Sequence, residues 1–393
     1  MKSKLFFIFL VIFIAVNPVK TVNAQVPISQ EVAVENSFES FLEQLLQGLN
    51  LDDLQSFFDE YVGDLYQNSS LKNIISEALS GNNNLEFSHI LSMFFQIFMK
   101  DIKSILPIFF SVIAIAVLSG VIEKIGSEKS KLSDVVFAFC YLTVAILLFS
   151  ECSAILNNTK TVIEGVCKQT EGVFPLLVTL VTLCGANSSV KILKPICVFI
   201  SGGILQIITK ILFPIVSAIF VINLVSNLNE RYSLKKFSDF AQSTFKWIVG
   251  ITIAVFSFFV TVNGFGSSVF DSVTLRSLKY TVGNTVPIIG SFAKEGIDMV
   301  VIAGVLLKNS IGSIALTVIF CALLNPLLSI IAYSLALKFL AAIIQPIADN
   351  RICNLIEGFS KGISLLSILL IMTFIVYFVV IFMFICVQNT MII

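Results

Sequence analysis

The feature that most constrains this chain is a series of apolar runs long enough to cross a membrane. The runs lie near 105–122, 135–150, 174–186, 192–209, 211–227, 247–265, 299–324, 327–346 and 363–387. Of the 393 residues, 56% are hydrophobic and 13% are charged, whereas soluble proteins carry about 25% charged residues. Because about 20 apolar residues span a bilayer as a helix, the chain is predicted to be an all-α, polytopic membrane protein. About seven to nine apolar segments are expected, and some of them could be re-entrant.

The N-terminus has the pattern of a secretory signal peptide. Two lysines precede the apolar run 5–16, Pro18 ends that run, and small residues lead to Ala24. This order of charge, apolar run and small residues is typical of a cleaved signal. We therefore expect residues 1–24 to be a signal peptide. An uncleaved anchor is the less favoured alternative, because the run is short for a membrane span.

An acidic segment follows the predicted cleavage site. Residues 25–89 contain eleven Asp and Glu and one Lys, a net charge of −10. Apolar residues at helical spacing predict short amphipathic helices over 36–80. The segment is expected to be extracytoplasmic. The negative charge of the segment argues against nucleic acid as a partner and against contact with an anionic membrane surface. The lipid bilayer is expected to be the partner of the spans that follow.

The membrane part is predicted to consist of a first hairpin, 90–156, and two units, 157–265 and 269–387. Two proline pairs each have a spacing of 39 residues: Pro175 with Pro214, and Pro287 with Pro326. The shared spacing suggests that the two units are repeats, as in many transporters. Coincidence among apolar helices is the alternative.

Loop charge predicts the orientation of the spans. The loops 123–134 and 228–246 are rich in Lys and Arg, which favours a cytoplasmic position for both. With 25–89 outside, this orientation requires four crossings between 135 and 227. The side of the C-terminus stays open.

Polar residues inside apolar sequence are the first candidate functional positions. Lys308 and Asn309 divide the run 299–324, and a charge at membrane depth by default marks a functional site. Lys308 could line a water-filled path or pair with an acidic residue such as Asp298. Alternatively, a broken helix could place its ammonium group at an interface.

The amphipathic segment 276–290 is the second candidate, and it contains Lys279, Pro287 and Gly290. It is expected to be an interfacial helix that turns into a re-entrant piece, which membrane proteins tolerate where the backbone is buried in protein or faces water. The glycines that follow, including Gly312, permit close helix approach. An ordinary loop before packed helices is the alternative.

Motifs for catalysis are missing from the sequence. It contains no HExxH, P-loop, GxSxG or metal-spaced Cys/His pattern, and His89 is its single histidine. We therefore expect no enzyme, no catalytic residue, no cofactor and no metal site. If the process that the chain serves needs energy, another subunit has to supply it.

The C-terminal motifs resemble a known family. The order Leu278–Val282, Val286–Gly290, Asp298 and Gly304–Gly312, read as KY, VPIIG and LLKNSIG, is similar to the stage III sporulation protein AE family of endospore-forming bacteria. The resemblance extends to the layout of signal peptide, acidic segment and polytopic domain.

The resemblance implies a membrane subunit of a secretion-like channel that links mother cell and forespore and is needed for forespore development. It implies a place in the mother-cell-derived membrane. The implied partners are the other stage III sporulation A-operon proteins, including an ATPase and ring-forming proteins, and indirectly forespore protein Q. The alternative, suggested by the repeat and the broken spans, is an autonomous transporter or permease of the cytoplasmic membrane.

Overall fold

The computed structural model describes residues 41, 44–46, 48, 51–61, 71–79, 87–125, 131–226, 234–264, 277 and 289–387. Its helices are α1 (Asp52–Tyr61), α2 (Leu71–Leu79), α3 (Phe87–Ile125), α4 (Lys131–Leu183), α5 (Asn187–Ser226), α6 (Lys235–Gly264), α7 (Ile289–Ile344) and α8 (Asn350–Cys386). These described ranges contain no strand. The six helices α3 to α8 are long and apolar enough to cross a membrane, which confirms the all-α, polytopic prediction. The predicted signal peptide lies outside the described residues.

Three pairs of predicted spans each lie on one continuous helix. The pairs are 135–150 with 174–186 on α4, 192–209 with 211–227 on α5, and 299–324 with 327–346 on α7. In α4, the polar stretch between the two runs is helical and includes a Lys160–Glu164 ion pair one turn apart, at 3.8 Å. Two helices, instead of the four expected crossings, therefore lie between 135 and 227. Because both numbers are even, the predicted orientation of the basic loops is unchanged.

Gly185 explains why α4 ends where it does. Its φ of 77° is left-handed, a conformation that favours glycine. The N–H of Gly185 donates to the Thr182 carbonyl, and the N–H of Ala186 donates to the Val181 carbonyl. This is the Schellman arrangement, which satisfies the last carbonyls of a helix and reverses the chain. The reversal allows α5 to run back along α4.

Helix α5 is continuous but irregular. Two π-helical turns, Ile200–Ile204 and Ile208–Leu212, interrupt its α-helical hydrogen bonding. Each π turn adds a residue to the helical repeat, and such turns are frequent at functional sites. The second π turn contains Lys210, which separates the two apolar runs that were expected to be separate spans, whereas the first lies inside the run 192–209.

The end of α3, the start of α4, the end of α5, the start of α6, the end of α7 and the start of α8 lie at one end of the bundle, which is called the basic end here because the sequence is rich in Lys and Arg around these termini. The Tyr141 hydroxyl of α4 donates to the Leu224 carbonyl of α5 at 2.7 Å. The Arg351 guanidinium of α8 lies 3.7 Å from the centre of the Phe137 ring of α4. These contacts bring the starts of α4 and α8 and the end of α5 together.

The two short helices pack far from the basic end. Helix α1 contacts α4 and α7, and α2 contacts α7. The Leu71 N–H donates to the Gln55 side-chain oxygen at 2.8 Å and joins the two helices. Leu54 and Phe58 of α1 are buried, which agrees with the amphipathic helices predicted in 36–80. The two described helices of the acidic segment therefore pack on this chain's own long helices.

Large apolar side chains that are more than half exposed are confined to part of the bundle. They are Phe95, Phe110, Leu118, Val135, Phe139, Ile146, Val198, Val221, Phe237, Phe240, Trp247, Ile251, Phe258, Val262, Leu335 and Phe339. We call this set the apolar belt. Between 147 and 197, and again between 303 and 334, the structure describes every residue, and none belongs to the belt. The end of the bundle beyond the belt is called the distal end below.

Candidate functional site at the distal end of α8

Lys308 is completely buried although it carries an ammonium group. Its Nζ donates to the Ile385 carbonyl oxygen at 3.0 Å and also to the Val387 carbonyl oxygen. Both acceptors lie at the C-terminal end of α8. The side chain therefore joins the middle of α7 to the end of α8.

The end of a helix gives this lysine a suitable partner. The last carbonyls of a helix lack intrahelical donors, and they carry the negative end of the helix dipole. The Val387 N–H satisfies only the Met383 carbonyl there. A buried cation that caps the remaining carbonyls offsets part of the desolvation that burial imposes on it. The geometry thus favours a packing role for Lys308, and a role in a pore stays a prediction.

Asp298 is too distant to be the partner that the sequence suggested for Lys308. Both residues lie on α7, ten positions apart, which is about 15 Å along a helix axis. A direct ion pair needs a nitrogen–oxygen distance of about 4 Å or less. The end of α8, which is 77 positions away in sequence, takes the place of the carboxylate.

Gly312 lies one turn after Lys308 and allows α8 to approach. A Cβ atom at this position would lie 2.7 Å from Cγ1 of Ile385, closer than normal van der Waals contact. Asn309 is half-buried on the same helix. Lys308 and Gly312 therefore belong to one contact between α7 and α8, as expected for packing positions.

The remaining candidate positions lie at or beyond the start of α7. Gly290 is in the first turn of α7. Lys279 and Pro287 lie outside the described residues, as does most of the predicted re-entrant segment. The structure therefore joins Lys308 and Gly312 in one contact with α8, and the grouping of Asn309 and the other positions with them stays a prediction.

The turn between α4 and α5 also reaches this site. A Cβ atom on Gly304 would lie 2.9 Å from the Cys184 Sγ, and the Cys184 thiol faces the Val301 carbonyl at 3.9 Å. The turn therefore fits closely against α7 one helical turn from Lys308. Sequence reasoning missed this contact because nothing in the spacing of Cys184 relates it to α7.

A polar layer crosses the bundle nearer to its basic end than to its distal end, since its two α7 residues lie 15 and 11 positions before the end of that helix at Ile344. The Ser329 hydroxyl donates to the Asp101 carboxylate at 2.6 Å, and the Tyr333 hydroxyl donates to the Glu151 carboxylate at 3.1 Å. Glu151 is twenty residues from the start of α4, about 30 Å along the helix. This is close to the thickness of the hydrocarbon core of a bilayer.

A second polar cluster lies close to the basic end. The Asn223 amide donates to the Gly358 carbonyl at 3.1 Å, and the Ser238 hydroxyl donates to the Asn223 side-chain oxygen at 2.7 Å. At the level of the polar layer, the Ser334 and Ser364 hydroxyls are 2.8 Å apart between α7 and α8, and Ser334 directly follows Tyr333 on α7. These neutral groups join buried helices without a charge, as polar residues commonly do in membrane bundles.

In the described ranges, neither the polar layer nor the second polar cluster contains a metal site. No group of three or more His, Cys, Asp or Glu residues in the described ranges is arranged to hold a metal ion. The carboxylates of the polar layer are instead bonded to hydroxyl groups of α7.

The comparisons with known proteins agree with the layout of the helices. The model of the family "Stage III sporulation protein AE" matches residues 69–388. The chain belongs to this family. The stage III sporulation protein AE of Bacillus subtilis (strain 168) is 21% identical over 331 residues, which are 83% of this chain and 82% of that protein. No solved structure matches the chain.

The family match confirms the resemblance that the sequence motifs indicated, and all seven candidate positions lie inside the matched range. It connects the chain with spore formation. Its name is that of a sporulation protein and not of an enzyme family.

Proposed function

We propose that the chain is a membrane subunit of a secretion-like channel complex that links mother cell and forespore and supports forespore development. The observation that carries the proposal is the family match over residues 69–388. The fold is compatible with it, because a channel subunit needs several spans and interhelical polar contacts but no active site.

The apolar belt suggests how the chain sits in a bilayer. We infer that the belt faces lipid, with the basic end in the cytoplasm of the mother cell. The polar layer of Asp101 and Glu151 then lies near the opposite interface, with the belt residues Phe95 of α3 and Val262 of α6 reaching somewhat beyond it. Helix α4 continues for 32 residues beyond Glu151, about 48 Å at the rise of an α-helix.

This placement gives the distal end a specific location. The outer parts of α4 and α7, together with α1 and α2, would stand in the space between the mother-cell and forespore membranes. A helical body in this space can meet exported domains of other subunits without leaving its own membrane. The proposed partners are the other stage III sporulation A-operon proteins, including an ATPase and ring-forming proteins, and indirectly forespore protein Q.

A clean deletion, complemented by a fluorescently tagged copy, tests the function. We expect normal vegetative growth, arrest after engulfment of the forespore, and signal confined to the membrane around the forespore. Unimpaired sporulation with uniform signal over the cell envelope would contradict the channel role. The autonomous transporter, which the π turns of α5 keep as the second candidate, would instead move a defined solute when reconstituted alone.

Thiol labelling from outside the cell tests the placement. In a Cys386→Ser background, which removes the exposed native cysteine, Asn158→Cys should react with a membrane-impermeant maleimide. Leu142→Cys, sixteen residues earlier on α4, should not react, because the belt would bury it in lipid. Equal labelling of the two positions would show that the belt does not mark the bilayer.

A further inference from the structure

A cleft of about 620 Å³ separates α1 from the polar stretch of α4. Ser56, Phe57 and Glu60 line it from α1, and residues between Thr161 and Gly172 line it from α4. Its volume is within the range of about 300–1,000 Å³ that is common for ligand sites. The position of the cleft, beyond the polar layer, keeps it away from the belt.

Gln169 lies in the wall of this cleft and is 2% exposed. Neither its Nε2 nor its Oε1 atom has a hydrogen-bond partner. A buried carboxamide normally has both. Because no residue in the described ranges supplies a partner, the side chain retains one donor and one acceptor, and a rotation of its terminal torsions would present them to a group that enters the cleft.

The chemistry of Gln169 selects the ligand. A carboxamide offers a donor and an acceptor side by side. A phosphate group could satisfy only the donor, and a cation only the acceptor. An extended peptide presents an N–H and a C=O on its backbone, whereas a helix uses these groups internally. The complementary ligand is therefore an extended peptide backbone.

The shape of the α4 wall agrees with a peptide. Gln169 shares a face of α4 with Thr161, Gly165 and Gly172. Counted from Thr161, the residues Gly165, Gln169 and Gly172 follow after four, eight and eleven positions, which is the spacing of one helix face. Glycine lets a backbone come close. Gln169 is thus flanked on both sides by positions that leave room for a main chain.

The charge of the rim determines which peptide fits. Glu60, Glu164 and Glu171 line the cleft against one basic side chain, Lys168. Glu164 also faces Lys160, but both side chains are about half exposed, so this pair is largely screened by water. The rim therefore favours a peptide with Lys or Arg side chains over an acidic one.

We propose that this cleft binds an extended, basic peptide segment of a partner's exported domain, with the Gln169 carboxamide paired to its backbone. The cleft is defined by the fold alone, whereas the choice of an exported partner domain rests on the proposed function. Binding to the purified protein tests the site, and the result is separable from any effect on sporulation.

The direct experiment uses the full chain in a neutral detergent and a fluorescein-labelled octapeptide of alternating Lys and Thr. Fluorescence anisotropy should detect binding, with a peptide that has Glu in place of Lys binding at least about tenfold more weakly. Gln169→Leu should weaken binding of the Lys–Thr peptide by about tenfold or more, because it removes both hydrogen bonds without changing any charge.

Asn158→Leu is the matched control, an exposed amide three turns earlier on the same helix. It should bind like the unchanged protein. If Gln169→Leu also binds like the unchanged protein, the peptide is held by charge alone and the proposal is wrong. No binding to the unchanged protein overturns it as well.

A crosslink provides a second measurement that does not require a core substitution. Benzoylphenylalanine at Thr161, which is exposed at the rim, should crosslink the Lys–Thr peptide. The same residue at Thr179, exposed on the same face of α4 but outside the cleft, should not. A crosslink at Thr179 but none at Thr161 would place the peptide elsewhere.

Discussion

Helices α4 and α7 each have two parts of similar apolar character but different surroundings. Near the basic end they expose Phe139, Ile146, Leu335 and Phe339 as part of the belt. Beyond the polar layer, α7 turns almost all of its side chains toward α4, α8 and the short helices. One part meets lipid in our placement, and the other meets protein.

The difference determines what each part tolerates. A side chain in the belt has no partner for a charge, whereas the protein-enclosed part contains Lys308, with carbonyl oxygens arranged around its ammonium group. Near the basic end, the buried contact between α5 and α6 uses neutral groups, namely the Asn223 amide and the Ser238 hydroxyl. Among the described residues, the completely buried ammonium group of Lys308 thus lies in the part in which a helix end can neutralise it.

The largest effect should come from reversing the charge at this position. Lys308→Glu places a carboxylate against the carbonyl end of α8 and removes the donor that both carbonyls use. Breaking a buried charged contact typically destabilises by about 3–5 kcal/mol. The eight cysteines are free, so a thiol-reactive dye can follow thermal unfolding in detergent, and the midpoint should fall sharply.

Lys191→Glu is the control for that substitution. Lys191 is exposed near the start of α5, where an acidic residue suits the helix dipole. Its unfolding midpoint should stay close to that of the unchanged protein. Equal stability of Lys308→Glu and Lys191→Glu would mean that Lys308 is not enclosed and does not cap α8.

A smaller effect is expected from the closest helix approach at the basic end. A Cβ atom at Gly120 of α3 would collide with the backbone carbonyl of Ile347, in the turn before α8. Since a backbone atom cannot move aside cheaply, Gly120→Ala should lower the free energy of unfolding by about 1–3 kcal/mol. The same dye assay measures it.

Gly250→Ala is the control for Gly120→Ala, because alanine at Gly250 meets open space. Gly250 is in α6 with no atom within 4 Å of its added Cβ, so alanine should be neutral or stabilise by up to about 1 kcal/mol through helix propensity. If both variants lose the same stability, the loss reflects glycine itself and not the approach of α3 to Ile347.

Hydropathy was sufficient to predict the fold class, because the spans are long and the chain has few charges. It could not separate lipid-facing from protein-facing runs, since both require apolar side chains. The stretch between Glu151 and Gly172 looked like a loop because its charges reduce hydropathy, but an amphipathic helix on a partner surface has the same composition. The sequence identified Lys308 as a candidate because a charge inside an apolar run is costly to bury. It did not identify the carbonyl oxygens that accept from Lys308, because no local pattern relates Lys308 to Ile385.

The smallest predicted effect concerns the polar layer, and it tests where the belt ends. Tyr333→Phe removes the hydroxyl that donates to Glu151 at 3.1 Å. If the layer lies at the interface, water can replace this donor, and the loss should resemble the roughly 0.6 kcal/mol average of interhelical hydrogen bonds in membrane proteins.

Ser329→Ala makes the same comparison for Asp101, whose carboxylate accepts from the Ser329 hydroxyl at 2.6 Å. Single and double variants in the dye assay should show small, nearly additive losses, since each carboxylate keeps access to water. A loss above about 2 kcal/mol for either single variant would mean that a carboxylate is left unpaired in a dry environment. The bilayer would then extend past the polar layer, and the protein-enclosed part of α4 and α7 would itself be embedded in the membrane.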